Sequence, residues 1–195
     1  MSVNIIRKHA QQLSEWSGGT TTQLYIYPEN ASYPLRNFLF RVSTATVNVE
    51  ESVFTKLPGV SRTIMILDGE LELQHTGHHN KLLKKFDTDI FSGDWDTKGF
   101  GKATDFNLMT TGNTKGDLKV IILQTNEQFS KNVLTKENIA GYYLVKGSVD
   151  MLLNKEKYVL HQHDFVVFEN ENQTVQLLMN AMEDAAIVEV QVSWE

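Results

Sequence analysis

At 195 residues, 41% hydrophobic and 22% charged, the chain has the composition of one large globular domain or two small fused ones. A net charge of −6 argues against a nucleic-acid partner, and the lack of cysteine excludes disulfides, thiol chemistry and thiolate zinc sites. No apolar stretch approaches the roughly 18 residues of a membrane span. The N-terminal segment shows no cleavable leader, so the expected location is cytoplasmic, with no membrane partner.

Read in chain order, the pattern is of many short strands. A short helical turn is expected near Ala10–Leu13. The glycine-rich "WSGGTTTQ" has neither the lysine nor the spacing of a phosphate loop, and a strand follows it. It reads as a tight turn that packs Trp16 over a barrel mouth, with the Thr20 or Thr22 hydroxyl in reach of a ligand. In "TTTQLYIYP", Thr22, Leu24 and Ile26 alternate with Gln23, Tyr25 and Tyr27. In "FLFRVSTATV", Arg41, Ser43, Ala45 and Val47 share one face, and Phe38, Phe40 and Val42 the other. Small residues beside an inward arginine leave room for a ligand.

After the Pro58-Gly59 turn, Arg62 opens a buried strand and shares a face with Ile64 and Ile66. Its guanidinium either escapes to solvent or turns inward to hold an anion; the inward direction, beside Arg41, is the expectation. "LELQHTGHHNKLL" reads as a hairpin turning at Gly77–Asn80, with His75, His78 and His79 solvated there and able to bind a transition metal only adventitiously. Asp94 reads as a turn residue and Trp95 as an edge anchor. Asp105 and Asn107 share a face. A second short helical turn is expected over Asn126–Leu134. The late strands "AGYYLVKG", "FVVF" and "AAIVEVQV" offer apolar bulk and no inward arginine, so no comparable polar cavity is expected in that half.

The phrase around Gly69 recurs around Gly147. Leu71 and Leu73 correspond to Val149 and Met151, and Leu-x-x-x-Asp-x-x-x-Phe occurs as Leu83–Asp87–Phe91 and as Leu160–Asp164–Phe168. The ordered set predicts two related β-modules, residues 1–117 and 118–195. Glycine, strand, hairpin, "LxxxD" turn and strand resemble the cupin jelly roll. The fold class expected is all-β: a bicupin, two jelly-roll-like modules packed as one compact unit.

The phrases "WSGGTTTQLYIYP", "FLFRVSTATV", "FTKLPGVSRTIMILDGE", "FSGDW" and "DFNLMTTG", spanning residues 16 to 112, resemble the HutD/Ves family of small bacterial bicupins. The resemblance implies a protein that binds a small carboxylate such as formylglutamate and regulates, rather than catalyses, histidine breakdown. The chain departs from the family pattern at Thr20, where a third glycine is usual, and at Thr110-Thr111, where an arginine is usual.

A cupin metal site needs His-x-His, a carboxylate and a later histidine facing one barrel. His161-Gln162-His163 lies in a turn instead, so no metal and no cofactor are expected. There is no nucleophile with an adjacent base and no glutamate pair of glycosidase type. The site expected is a ligand pocket of Arg41, Ser43, Arg62, Asp105 and Asn107, with Trp16 and Thr20 at its mouth. Two arginines against one aspartate leave a surplus positive charge for a carboxylate; the alternative is a buried Arg41–Asp105 or Arg62–Asp105 pair that only locks the barrel. The function expected is metal-independent binding of a small carboxylate, with a regulatory role in histidine or amino-acid utilisation or in stress response. The competing reading is a cupin-type enzyme acting on an amino-acid or sugar derivative. The partner expected is the small carboxylate, and the assembly, if any, a homodimer.

Overall fold

The computed structural model describes residues 3–133, 139–169 and 175–194. In chain order the strands are β1 (Val3–Ile6), β2 (Gln12–Trp16), β3 (Gly19–Tyr27), β4 (Phe40–Val47), β5 (Glu51–Val53), β6 (Val60–Gly69), β7 (Leu71–His75), β8 (Asn80–Leu83), β9 (Thr88–Ser92), β10 (Thr97–Phe100), β11 (Ala103–Thr111), β12 (Lys115–Leu123), β13 (Gln128–Val133), β14 (Ile139–Lys146), β15 (Ser148–Leu153), β16 (Glu156–His161), β17 (Phe165–Glu169), β18 (Val175–Ala181) and β19 (Ala185–Ser193). Among the described residues the helical content is one 3-10 turn at Lys8–Ala10. The fold is all-β.

Of the two short helical turns expected, the first forms as the 3-10 turn at Lys8–Ala10, just ahead of its expected place, and the second does not form among the described residues. The first region gives the 3-10 turn and then β2, which pairs with β3 from Gln12↔Gln23 to Trp16↔Gly19. The second gives β13, paired with β18 from Gln128↔Asn180 to Val133↔Val175; residue 134 lies outside the described residues. In both places a neighbouring strand satisfies the backbone groups that a lone helical turn would leave without partners.

Two compact units divide the chain. One holds Gln11–Gly116; the other holds the residues up to Ala10 together with those from Asp117 onward. The boundary therefore falls at 116/117 rather than 117/118, and the first residues go to the second unit because β1 pairs with β17, Val3 opposite Phe168. In the first unit the sheets run β2-β3-β4-β11-β6-β9 and β5-β10-β7-β8. In the second they run β1-β17-β14-β19-β12 and β13-β18-β15-β16. Each unit buries an apolar cluster, with Ile64, Ile66, Leu71 and Leu73 in the first and Val149, Met151, Leu160 and Ile187 in the second.

The repeat read in the sequence is a repeat of geometry. Gly69 and Gly147 both have positive φ, 78° and 86°. A side chain at either would meet a carbonyl oxygen, that of Lys102 or of Asp184, so glycine is required twice for the same reason. The Asp87 carboxylate accepts the Lys84 N–H at 3.0 Å and the Asp164 carboxylate accepts the His161 N–H at 3.0 Å. Phe86 N–H donates to Ile66 O and His163 N–H to Leu144 O, each at 2.7 Å. Both of those residues have positive φ, 69° and 73°. The "LxxxD" phrase thus encodes one turn built twice.

Candidate functional site

Three neighbouring strands of the first unit make the wall of interest. In register across β4, β11 and β6 run the rows Arg41–Met109–Arg62, Ser43–Asn107–Ile64 and Ala45–Asp105–Ile66. Alternation turns Arg41, Ser43 and Ala45 to the same side as Asp105 and Asn107. There they line a cavity of about 270 Å³, with Trp16, Tyr33, Phe54 and Arg62 also on its walls. Both arginines are buried, Arg41 to 5% exposure and Arg62 to 6%. The inward direction expected of Arg62 is the one found.

The two guanidinium groups are held differently. Arg41 Nε donates to Gln23 Oε1 at 2.8 Å and its Nη1 to Ser43 Oγ at 3.2 Å, and its Cζ lies 4.3 Å from the centroid of Tyr33. Arg62 Cζ lies against an edge-to-face pair of rings, 4.9 Å from the centroid of Phe54 and 5.3 Å from that of Phe91. Its Nε, with Asp105 Oδ1 and Asn107 Oδ1, is buried without a hydrogen-bond partner among the described residues. Asp105 feels the charge of Arg62, but its buried Oδ1 is not satisfied by either arginine. The Arg62–Asp105 pair of the alternative reading is thus present as an electrostatic attraction, without a hydrogen bond at Arg62 Nε or at Asp105 Oδ1.

Burial governs the protonation of this wall. Desolvation lowers Arg62 to about 10 against the attraction of Asp105, and lowers Arg41 as well. Desolvation raises Asp105 to about 7 against the attraction of Arg62. Near neutrality the arginines remain cationic while Asp105 exchanges a proton, so these three buried groups are net positive; the exposed Glu15 is a further carboxylate on the cavity lining. The chemistry of the wall suits an anion, with a carboxyl that gives a hydrogen bond when protonated and accepts one when ionised.

Of the residues expected from sequence, Arg41, Ser43, Arg62, Asp105, Asn107 and Trp16 line the cavity. Thr20 does not. It stands opposite Thr46, whose hydroxyl meets that of Thr104 at 3.2 Å, on the other side of the sheet. Thr21, opposite Ala45, takes its place on the wall. The turn before it is the packing turn expected: a side chain at Gly18 would strike the Trp16 ring.

Strict alternation in β3 also fails. A bulge between Gln23 and Tyr25 places Gln23 opposite Ser43 and Ile26 opposite Arg41, so Thr22 and Ile26 lie on opposite faces. Gln23, Tyr33 and Phe54 are contacts that the sequence reading missed. Tyr33 and Phe54 lie outside the strands, where no periodicity points to them.

The histidines divide. His161 and His163 sit at the second module's turn, with His163 Nδ1 2.9 Å from the Tyr143 hydroxyl. His75 is not solvated, contrary to expectation. It continues the buried phase of Leu71 and Leu73 and is 1% exposed, because β10 supplies Thr97 and β9 supplies Asp89 as partners.

The second unit is also more polar inside than its apolar strands suggest. The register of β14 with β19 sets Ala140–Gln191, Tyr142–Glu189 and Leu144–Ile187 where the first unit has Arg62–Met109, Ile64–Asn107 and Ile66–Asp105. Glu189 accepts from Lys131 Nζ and from the Tyr142 hydroxyl, each at 2.8 Å. The arginine is absent from this wall and an acid stands in it.

Two β-modules built on the same turn, each of two sheets closing on an apolar interior, make the chain a cupin-type protein with two modules. The HutD family pattern matches residues 8–187, and the chain belongs to the HutD family. Solved structures with the same fold include PA5104 from Pseudomonas aeruginosa PAO1, 20% identical over 100% of both chains with a TM-score of 0.86. HutD from Pseudomonas fluorescens SBW25 is 20% identical over 97% of this chain and 99% of its own, with a TM-score of 0.72. YhhW from Escherichia coli is 9% identical over 97% of each, with a TM-score of 0.71. No curated protein sequence gives a significant match. No helix among the described residues is long and apolar enough to cross a membrane.

Proposed function

We propose that the first module binds a small carboxylate between Arg41 and Arg62, and that the protein uses this binding to regulate amino-acid, specifically histidine, utilisation rather than to catalyse a step of it. The observation that carries the proposal is the row Arg41–Met109–Arg62, two buried cations on one wall, with Arg62 Nε lacking a partner. A buried guanidinium without an ion pair costs several kcal/mol, which a bound carboxylate offsets through bidentate hydrogen bonds. The cavity, about 270 Å³, falls just below the usual range for small-molecule sites, which favours a compact acid. Asp105 near its midpoint at neutral pH donates a hydrogen bond to the second oxygen without adding a full negative charge. The HutD structure from Pseudomonas fluorescens is of a formate condition, so formate is among the acids to test. The regulatory part rests on family membership.

A thermal-shift series with formate, glutamate, formylglutamate and urocanate tests the binding. At 100 times its dissociation constant, a ligand adds about 2.7 kcal/mol to stability. At least one acid is expected to raise Tm, and Arg62→Met to abolish the rise while the unliganded variant stays folded. No shift with any acid, or an unchanged response in Arg62→Met, overturns the proposal.

A further inference from the structure

A second constellation lies away from the cavity, where the β7–β8 hairpin meets β9. His75 Nε2 is 3.0 Å from Asp89 Oδ2, and His79 Nε2 is 3.1 Å from the same oxygen and 3.2 Å from Oδ1. His75 and Asp89 are buried, at 1% and 5% exposure, and the His79 side chain is 41% exposed. The donor atoms of the three residues all lie within 4.8 Å of one another. We propose that His75, His79 and Asp89 form a binding site for a borderline divalent transition cation, with zinc as its best fit.

The argument is geometric. Zinc bonds to imidazole nitrogen and carboxylate oxygen at about 2.0–2.2 Å, so ligand atoms of a tetrahedral site stand about 3.3 Å apart. The nitrogen–oxygen separations of 3.0 and 3.1 Å are already within a few tenths of an ångström of that edge. Two imidazoles converge through the same ring nitrogen, Nε2, on a single carboxylate, so all three donor atoms face one another.

The surroundings support a ligand role. His75 Nδ1 is 2.8 Å from Thr97 Oγ1, the outer contact that fixes ring orientation in metal-binding histidines. In the tautomer with the proton on Nδ1, His75 donates to Thr97 and turns the Nε2 lone pair toward the cation. Its ring is held 4.5 Å from Phe91 and 5.4 Å from Trp95, centroid to centroid. Three protein ligands, one of them half exposed, leave a fourth position open to water. Lys81 Nζ stands 3.9 Å from Asp89 Oδ1 but donates to Thr88 O at 2.8 Å, so its ammonium has a partner apart from the carboxylate. Two nitrogens and one carboxylate discriminate against magnesium and calcium, which demand oxygen-rich shells. A bound ion would tie the hairpin to β9.

Isothermal titration of untagged, chelator-treated full-length protein with zinc is expected to show one site per chain. His79→Gln, a change at an exposed side chain, is expected to weaken binding at least tenfold with the metal-free fold unaltered. His163→Gln at the other turn is expected to leave it unchanged. Side-chain nitrogen NMR of the unmutated protein is expected to move the Nε2 signals of His75 and His79 together on zinc addition. Absence of saturable zinc binding, full binding by His79→Gln, or Nε2 signals that stay in place on zinc addition overturns the assignment.

Discussion

Replacing Asp105 by asparagine is expected to change how folding stability responds to pH near neutrality. Burial holds the Asp105 carboxyl at about 7, against an ordinary value of 3.8. Between these two values the folded protein keeps a proton that the unfolded chain has released, so stability falls as pH rises. The Asp105 contribution is fully present below about pH 4 and is lost as pH passes through about 7. At about 1.4 kcal/mol per unit, a window of roughly three units sets a ceiling of about 4 kcal/mol. Urea unfolding of both proteins across this range measures the effect. The difference between them cancels every other carboxylate. Relative to the unmutated protein, Asp105→Asn should gain stability progressively from about pH 4 and level off above about pH 8. A difference that stays constant with pH would refute the reasoning. So would a difference of the opposite slope, which would mean that Arg62 holds the carboxyl ionised and that desolvation is the smaller effect.

Two further predictions concern the frame. Gly69→Ala and Gly147→Ala should each destabilise by about 1–3 kcal/mol in urea, since both combine positive φ with a facing carbonyl oxygen. The Asp164 carboxyl lies below its ordinary value: burial raises it, but the His161 N–H, the Arg7 guanidinium and the Lys8 N–H together outweigh burial. Its stabilisation is therefore present above about pH 4 and lost as pH falls, so Asp164→Asn should cost about 1–3 kcal/mol at pH 7 and nothing further in acid, read by unfolding at both pH values.

The parts of this molecule that follow strict local rules were legible from the sequence. Two-residue alternation put Arg41, Ser43 and Ala45 on one face, and Asp105 and Asn107 on another, and the register brings both faces to one cavity. Spacing alone revealed the duplicated turn. Errors arose where a non-local partner or an extra residue decides. The bulge after Gln23 resets the phase of β3, which no alternation count anticipates. His75 carried a usable signal, since it follows Leu71 and Leu73 in phase just as Asp89 precedes Phe91, but its place beside a hairpin suggested solvent. Tyr33 and Phe54 reach the arginines from irregular segments, and only the folded chain shows them there.

The paired turns carry a consequence for how such a chain evolves. The glycine, the aspartate and the backbone bonds of the turn are the same in both modules. The residues they present are not: Arg62 answers to Ala140, Asp105 to Ile187 and Asn107 to Glu189. Foldability and selectivity are thus written in separate sets of positions. Either lining can change toward a new ligand, or lose one, while the shared frame keeps both modules foldable.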